Sequence, residues 1–296
     1  MSANGQRTGI TSEVMAGAHA AGVDCAMSVE SESSFGLLLR EWRARRRVSQ
    51  LDLAVEAGVS SRHVSFIETG RAQPSREMIL MLARVLDVPL RERNDLLMAA
   101  GYTAMYRATD LDAPPLEQAR RALDFMLRQQ EPYPAIVVDR SWNLLKANGG
   151  AVKLVETFAD ASAANEWGGN AMRLMFHPRG LRPHIVNWEA MAAALIQWLH
   201  RDVLSGLGGE DTRRLLHELL SYPGVPPRWR TLDLDVSTAP FLSIDFRKED
   251  LQLRYFSTLT SLGTPHDITL QEIRVEAFFP ADAETEEASR RLTAPA

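Results

Sequence analysis

The side chains best suited to directional contact with another molecule cluster in the stretch SQLDLAVEAGVSSRHVSFIETGRAQPS, positions 49–75. Arg62 carries a planar guanidinium that can bond two acceptors at once, the arrangement one edge of guanine offers. Ser60, Ser61 and Ser65 add short hydroxyls around it, and Phe66 adds an apolar ring. Gln50 and Arg71 suit phosphate oxygens, which backbone N–H groups at a helix start also bind. Covalent chemistry has no comparable signal. The chain has no G-x-S-x-G, no P-loop, no H-E-x-x-H and no completed dinucleotide fingerprint. Its seven histidines show no metal-ligand spacing, and the single cysteine, Cys25, excludes an internal disulfide. The expectation is a binding protein and not an enzyme, with no cofactor and no metal.

Five helices are needed to hold those residues. The first runs over 35–47, with Leu38, Leu39 and Trp42 on adjoining faces. Ser49 caps a second, and Asp52 three residues on completes the pattern of a capping box. That helix stops at Gly58, where a left-handed backbone costs little. Ser60 caps a third helix, 61–68, closed by Thr69 and Gly70. Pro74–Ser75 opens a fourth, with Ile79, Leu82, Ala83 and Leu86 facing inward, and Pro89 opens a fifth carrying Leu96 and Leu97.

The order of residues over 49–75 resembles the XRE-type helix-turn-helix of phage repressors, S-Q-x-x-L-A-x-x-x-G-[VI]-S-x-x-x-[IV]-S-x-[IL]-E-x-G-x-x-x-P-S. The resemblance implies a double-stranded DNA operator, read by the exposed start of the third helix in a major groove. Ser61, Arg62, Ser65 and Phe66 then face base edges. Gln50, Arg71 and one or more of Arg45, Arg46 and Arg47 face phosphates. It further implies a structural ion pair between Arg43 and Glu68.

Charge agrees with one end meeting DNA. The whole chain is at −5, but eleven arginines against eight acids give residues 35–100 a local balance of +3, leaving −8 elsewhere. No run approaches the ~20 apolar residues of a membrane helix, and the start lacks a secretory pattern. A cytoplasmic protein without membrane contact is expected. Residues 1–32 read as a flexible extension, within which Met27 offers a second start position. Residues 33–101 read as the helical domain and 102–115 as a linker.

A second domain is expected over 116–282, with a frayed tail over 283–296. Residues 116–130 form an amphipathic helix. A strand, a tight turn at 139–141 and a second strand follow, and Asn148 starts another helix. Asn187 caps the helix WEAMAAALIQWLHRDVL. Period-two alternation then marks three strands: 241–247, one carrying Leu251, Leu253, Tyr255 and Leu259 on one side, and one grouping Ile273, Val275, Ala277 and Phe279. Two strands, a helical middle and three strands form the order of a PAS-like fold, whose antiparallel sheet has one face closed by helices around a pocket. The fold class is α+β with two domains.

The segments PYPAIVVDRSWNLLKAN, RLMFHPRGLRPHIVNW, LLHELLSYPGV and EIRVEAFFPAD resemble the MmyB-like regulators. That likeness implies a bacterial one-component regulator, acting as a homodimer, whose PAS-like domain binds a small, largely apolar ligand such as a fatty acyl chain. Trp142, Phe176, Trp188 and Trp198 are candidates to line the cavity, and Asn148, Arg173 and His177 to orient a polar head group. For each, a place in the core, in a helix cap or in a surface contact is the competing reading. The competing function is a protein-interaction module using the helix-turn-helix as an antitoxin-like or scaffold surface.

Overall fold

Five helices stand where the caps and periodicity place them: α1 (Ser34–Arg46), α2 (Gln50–Glu56), α3 (Ser61–Glu68), α4 (Arg76–Val85) and α5 (Leu90–Ala99). The computed structural model of the protein describes residues 34–206, 208–232, 243–263 and 265–294. The extension expected over 1–32 lies outside them. Ser49 and Asp52 form the reciprocal capping box of α2, and the side chains of Ser60 and Ser75 accept from the third residue of α3 and α4. Gly58, at φ 67°, turns the chain between α2 and α3. Leu39, Leu53, Val64, Ile67, Ile79, Leu82 and Leu97 are buried together in one core. Each contributes roughly 1.5–3 kcal/mol of gross burial.

The segment expected as a linker, residues 102–115, is bonded along its length. Asn94 of α5 accepts from the backbone of Met105 and Tyr106 and donates back to the Tyr106 carbonyl. Thr109 bonds Asp267, and the amide of Ile268 donates to the carbonyl of Arg107.

Beyond it come α6 (Glu117–Gln129), β1 (Ala135–Val138), β2 (Leu144–Ala147), α7 (Gly149–Phe158), α8 (Ala164–Trp167), α9 (Ala171–Phe176), α10 (Trp188–Ser205) and α11 (Gly209–Leu219). The chain closes with β3 (Ser243–Lys248), β4 (Leu251–Ser261), α12 (Ile268–Glu272), β5 (Arg274–Pro280) and α13 (Ala283–Thr293). The strands form one antiparallel sheet in the order β2-β1-β5-β4-β3. The expected strand 241–247 begins at Ser243 within the described residues.

The structure corrects several expectations. Both faces of the sheet are covered, not one. α6 packs Leu123 and Leu127 on Ala135, Val137, Ile273 and Val275, so the apolar set read from β5 belongs to the outer face. Leu259 is exposed, because β4 outruns the helices that cover its first half. Asn187 does not cap α10 with its side chain; it bridges to β3 through the Ser243 carbonyl and the Asp245 amide. The tail is not frayed. Asp282 caps α13, and the Ser289 hydroxyl meets Tyr255 of β4 at 2.6 Å. Its buried residues are small and polar (Thr285, Ala288, Ser289), which hid the helix from a hydrophobic pattern.

Candidate nucleic-acid interface and ligand cavity

α3 has two unlike sides. Val64, Ile67 and Glu68 are buried, while Ser60, Ser61 and Arg62 at its start are exposed and Ser65 and Phe66 half-buried. The Arg62 guanidinium lies over the Phe66 ring at 5.1 Å, which holds it beside the exposed turn. Arg71 follows on the exposed side.

Glu68 explains why the helix is held so firmly. Its carboxylate is buried, and a buried charge is costly without partners. Arg43 supplies two bonds, at 2.8 and 3.1 Å, and Gln50 supplies a third at 2.6 Å. The pairing of Arg43 with Glu68 stands as the resemblance implied. Gln50, expected at a phosphate, spends an amide N–H inward on this carboxylate. Arg45 and Arg46 are also drawn inward. Arg46 donates to the carbonyls of Leu86 and Asp87 at the end of α4. Arg45 pairs with Glu41 and lies over Trp42, facing α10, where a side chain at Gly206 would collide with it. Arg47 remains exposed.

Sequence reasoning missed the junction between the two domains. Arg140, in the turn after β1, bonds Glu92 of α5 at 3.0 Å and Glu272 of α12 at 3.1 Å. Glu272 in turn takes two bonds of 2.8 Å from Arg91. Burial raises the pKa of the Glu92 carboxyl, opposed by Arg140, and its second oxygen is buried with no partner among the described residues. Asp95 beside it is raised for the same reason. No local motif marks this cluster, whose members come from three separate segments.

The turn that carries Arg140 also carries Trp142. Asp139 accepts from the amides of Ser141 and Asn143, fixing the hairpin. Trp142 sits at φ 66°, a costly backbone for a bulky residue. Its ring lines an apolar cavity of about 80 Å3 between the sheet, α7 and α9, together with Ile136, Leu154, Met175, Phe246 and Phe278. A second, outer space of about 250 Å3 shares Ile136, Ala151, Val155, Ala171 and Leu174 with the first, so the two adjoin along one wall and together form the candidate ligand channel. Exposed Leu144 and Val152 stand along the outer part.

The other candidates lie elsewhere. Trp198 meets Trp142 edge-on at 5.3 Å and carries Arg274 over its face at 4.6 Å, with Arg274 paired to Asp202. Phe176 and Trp188 pack on each other beside the cavity and do not line it. Asn148 caps α7, and its amide also ties the Ala135, Tyr133 and Leu127 backbone together. Arg173 is held by two bonds to Glu218, and His177 lies against Glu166 at 3.0 Å. These three polar residues hold the domain together and none lines the channel.

One ionisable group does line the inner cavity. Glu276 of β5 faces it, and desolvation pushes its carboxyl up to about 7 despite a hydrogen bond from Ser257. It escaped the sequence reading because it alternates with the apolar residues that meet α6.

Among the described residues no helix is long and apolar enough to cross a membrane, and no cluster of side chains suits a metal.

Two family models match the chain: a helix-turn-helix domain over residues 34–96, and the MmyB-like transcription regulator ligand binding domain over residues 119–292. A protein of Methanoculleus marisnigri described as an HTH-type transcriptional regulatory protein is 30% identical over 125 residues, 41% of this chain and 40% of that one. RghRB of Bacillus subtilis, described as an HTH-type transcriptional regulator, is 44% identical over 71 residues, 24% of this chain and 49% of that one. The chain thus matches under half the length of either relative. The solved structure of an RNA-binding light-oxygen-voltage receptor covers 89% of this chain and 62% of that one at 12% identity, with a TM-score of 0.27, too low to carry an argument. The ligand-binding match takes in more than half of the chain, and the protein belongs to the MmyB-like transcription regulators, with a helix-turn-helix DNA-binding domain ahead of the ligand-binding domain.

Proposed function

We propose that this regulator is a one-component sensor. As a homodimer it reads a specific operator through α3 and answers to a small, largely apolar ligand held in the channel, an acyl chain being of suitable chemistry. The observation that carries this reading is the hairpin at 139–142. One of its residues, Trp142, lines the cavity, and another, Arg140, grips α5 of the DNA-binding domain through Glu92. A ligand that moves Trp142 has a short, stiff path to α5. Changing the spacing of two recognition helices in a dimer alters the fit to half-sites ~34 Å apart.

Arg62, with Ser61 and Ser65, supports base reading, while Arg71 and Arg47 suit phosphates by their position around α3. Footprinting on DNA upstream of the protein's own gene tests the reading. Protection of a defined site is expected, weakening steeply with salt as counterions are released. Arg62→Ala is expected to lose about tenfold or more of the preference for that site over random DNA with the fold intact, the worth of one bidentate base contact. Equal binding to random DNA by the unaltered protein sinks the operator reading and favours the scaffold alternative.

A further inference from the structure

The rest of the chain holds the DNA-binding domain at two places of unlike build. One is the grip of Arg140 on Glu92 of α5, where a carboxylate oxygen is left unpaired among the described residues. The other lies at the C-terminal end of α10, and there the contact is one of shape. Gly206 ends that helix at φ 76° and is buried. A Cβ added to it would stand 2.9 Å from Cη2 of Trp42 and would overlap the Arg45 guanidinium. The backbone at the end of α10 therefore lies directly on α1. A left-handed glycine after a helix needs no such neighbour, because the backbone conformation alone favours it. Gly58 and Gly101, at φ 67° and 85°, have nothing within 4 Å of the place where a Cβ would be. At Gly206 the missing side chain serves close approach as well as the turn.

Both sides of this contact are stiff. Met191, Ala192, Ile196 and Leu199 of α10 are fully buried, and Asp202, one turn before Gly206, is tied to Arg274 of β5 at 2.9 Å. On the other side, the buried Trp42 shares a core with Val64 and Ile67 of α3. The next residue, Arg43, holds Glu68 at the end of α3. Close-packed interiors transmit displacement and do not absorb it. A push on Trp42 is therefore a push on α3.

We propose that Gly206 is the fulcrum of the domain junction, a positioning residue for DNA reading. Through it the end of α10 seats α1 at Trp42, and α1 places α3 through the shared core and through Glu68. A body gripped at two points turns about the one that does not give. The hairpin at 139–142 moves α5, and the fixed seat at Gly206 converts that displacement into a rotation of α3. This deepens the sensor reading and rests on it for the moving part. The seat itself needs neither ligand nor DNA.

The test is hydrogen exchange, followed by mass spectrometry, on the full chain without ligand or DNA, so its outcome is separate from that of the sensor reading. Gly206→Ala overpacks the seat and is expected to quicken exchange in α1 and α3 by about tenfold, while α4 and the sheet keep their rates. Trp42→Phe removes the ring carbon that the new methyl would strike. In that background Gly206→Ala is expected to change α3 by less than about twofold. An effect of the backbone turn alone would be equal in both backgrounds, and that result overturns the inference. So does a change confined to α10 and α11, an unchanged α3, or a rise of equal size in α4, which is loss of stability of the whole domain. Arg45→Ala cannot overpack the seat and opens it from the other side. It is expected to quicken α3 several-fold, by about the worth of one lost cation–π contact. An unaltered α3 in that variant overturns the inference even if Gly206→Ala fails to fold.

Discussion

Two carboxylates, one in each domain, are taken out of water in opposite ways. Glu68 in the DNA-binding domain is buried under Arg43 and Gln50, which between them give it three hydrogen bonds. Glu276 in the ligand-binding domain faces an apolar cavity with Ser257 as its partner and no cation among the described residues that line it. The first arrangement is complete and leaves nothing for a visitor. The second is incomplete, which is how a site differs from a scaffold. A third carboxylate, Glu92, lies between these extremes at the domain junction: one oxygen is bound by Arg140 and the other is buried without a described partner. Full satisfaction goes with rigidity, and partial satisfaction with a place that has a second state.

If that ordering is right, breaking the complete set costs most. Arg43→Ala removes two of the three hydrogen bonds to the buried Glu68 carboxylate, leaving it Gln50 and the more exposed Arg40 at 3.8 Å, and is expected to lose about 3 kcal/mol of stability in the DNA-binding domain, measured by urea unfolding. A loss below about 1 kcal/mol, the range of an exposed pair, would show that Glu68 is not the buried anchor its surroundings describe.

Removing Arg140 is expected to cost less, about 1–2 kcal/mol, because burial already raises the pKa of the Glu92 carboxyl, which makes taking up a proton a cheaper answer to a lost cation. Its larger consequence lies in coupling. Arg140→Ala should still bind operator DNA and still bind the apolar ligand, but ligand should no longer change operator affinity in a mobility-shift titration. Undiminished coupling in that variant removes the hairpin from the signalling path.

The incomplete site should give a change no larger than that of Arg140, confined to higher pH and of the opposite sign. The Glu276 carboxyl is raised from 4.5 to about 7, so the folded protein holds the proton more tightly than the unfolded chain does. Stability from this group is therefore whole below pH 4.5, falls as the pH climbs from there to about 7, and stays low above it. Glu276→Gln removes that dependence. Allowing for the carboxyl's partial access to the cavity, it should be about 1–2 kcal/mol more stable than the unaltered protein at pH ~8, and equal to it below pH ~4.5. Thermal melts across this range check it; a difference independent of pH points to packing rather than charge.

Much of the DNA-binding domain is legible in the residues. Ser49 and Asp52, Gly58, Ser60 and Ser75 place the ends of α2, α3 and α4 to within a residue or two, because caps and left-handed turns act over three or four positions. The exposed residues of α3 follow from the buried ones by helical spacing. The ligand-binding domain is less open to that method. Its strands are found by alternation, yet the alternation in β5 points to α6 and away from the cavity. A sheet covered on both sides gives no simple contrast between an apolar and a polar face. Aromatic residues were poor guides as well: of Trp142, Phe176, Trp188 and Trp198, Trp142 lines the channel and the rest fill the core around it. α13 was missed because its contact with β4 is made by hydroxyls and small side chains.

The amino-acid order by itself determined where helices start and stop, which face of α3 stays in water, and that a sheet of five strands follows a helical domain. Those properties depend on spacing along the chain and on the conformational preferences of single residues. Tertiary structure alone decided that Arg140 would meet Glu92, 48 positions away, and Glu272, 132 positions away. It alone decided that Glu276 would look into hydrocarbon. The cost of burying a charge is set by what surrounds it in space, and for these groups nothing nearby in the chain supplies that surrounding.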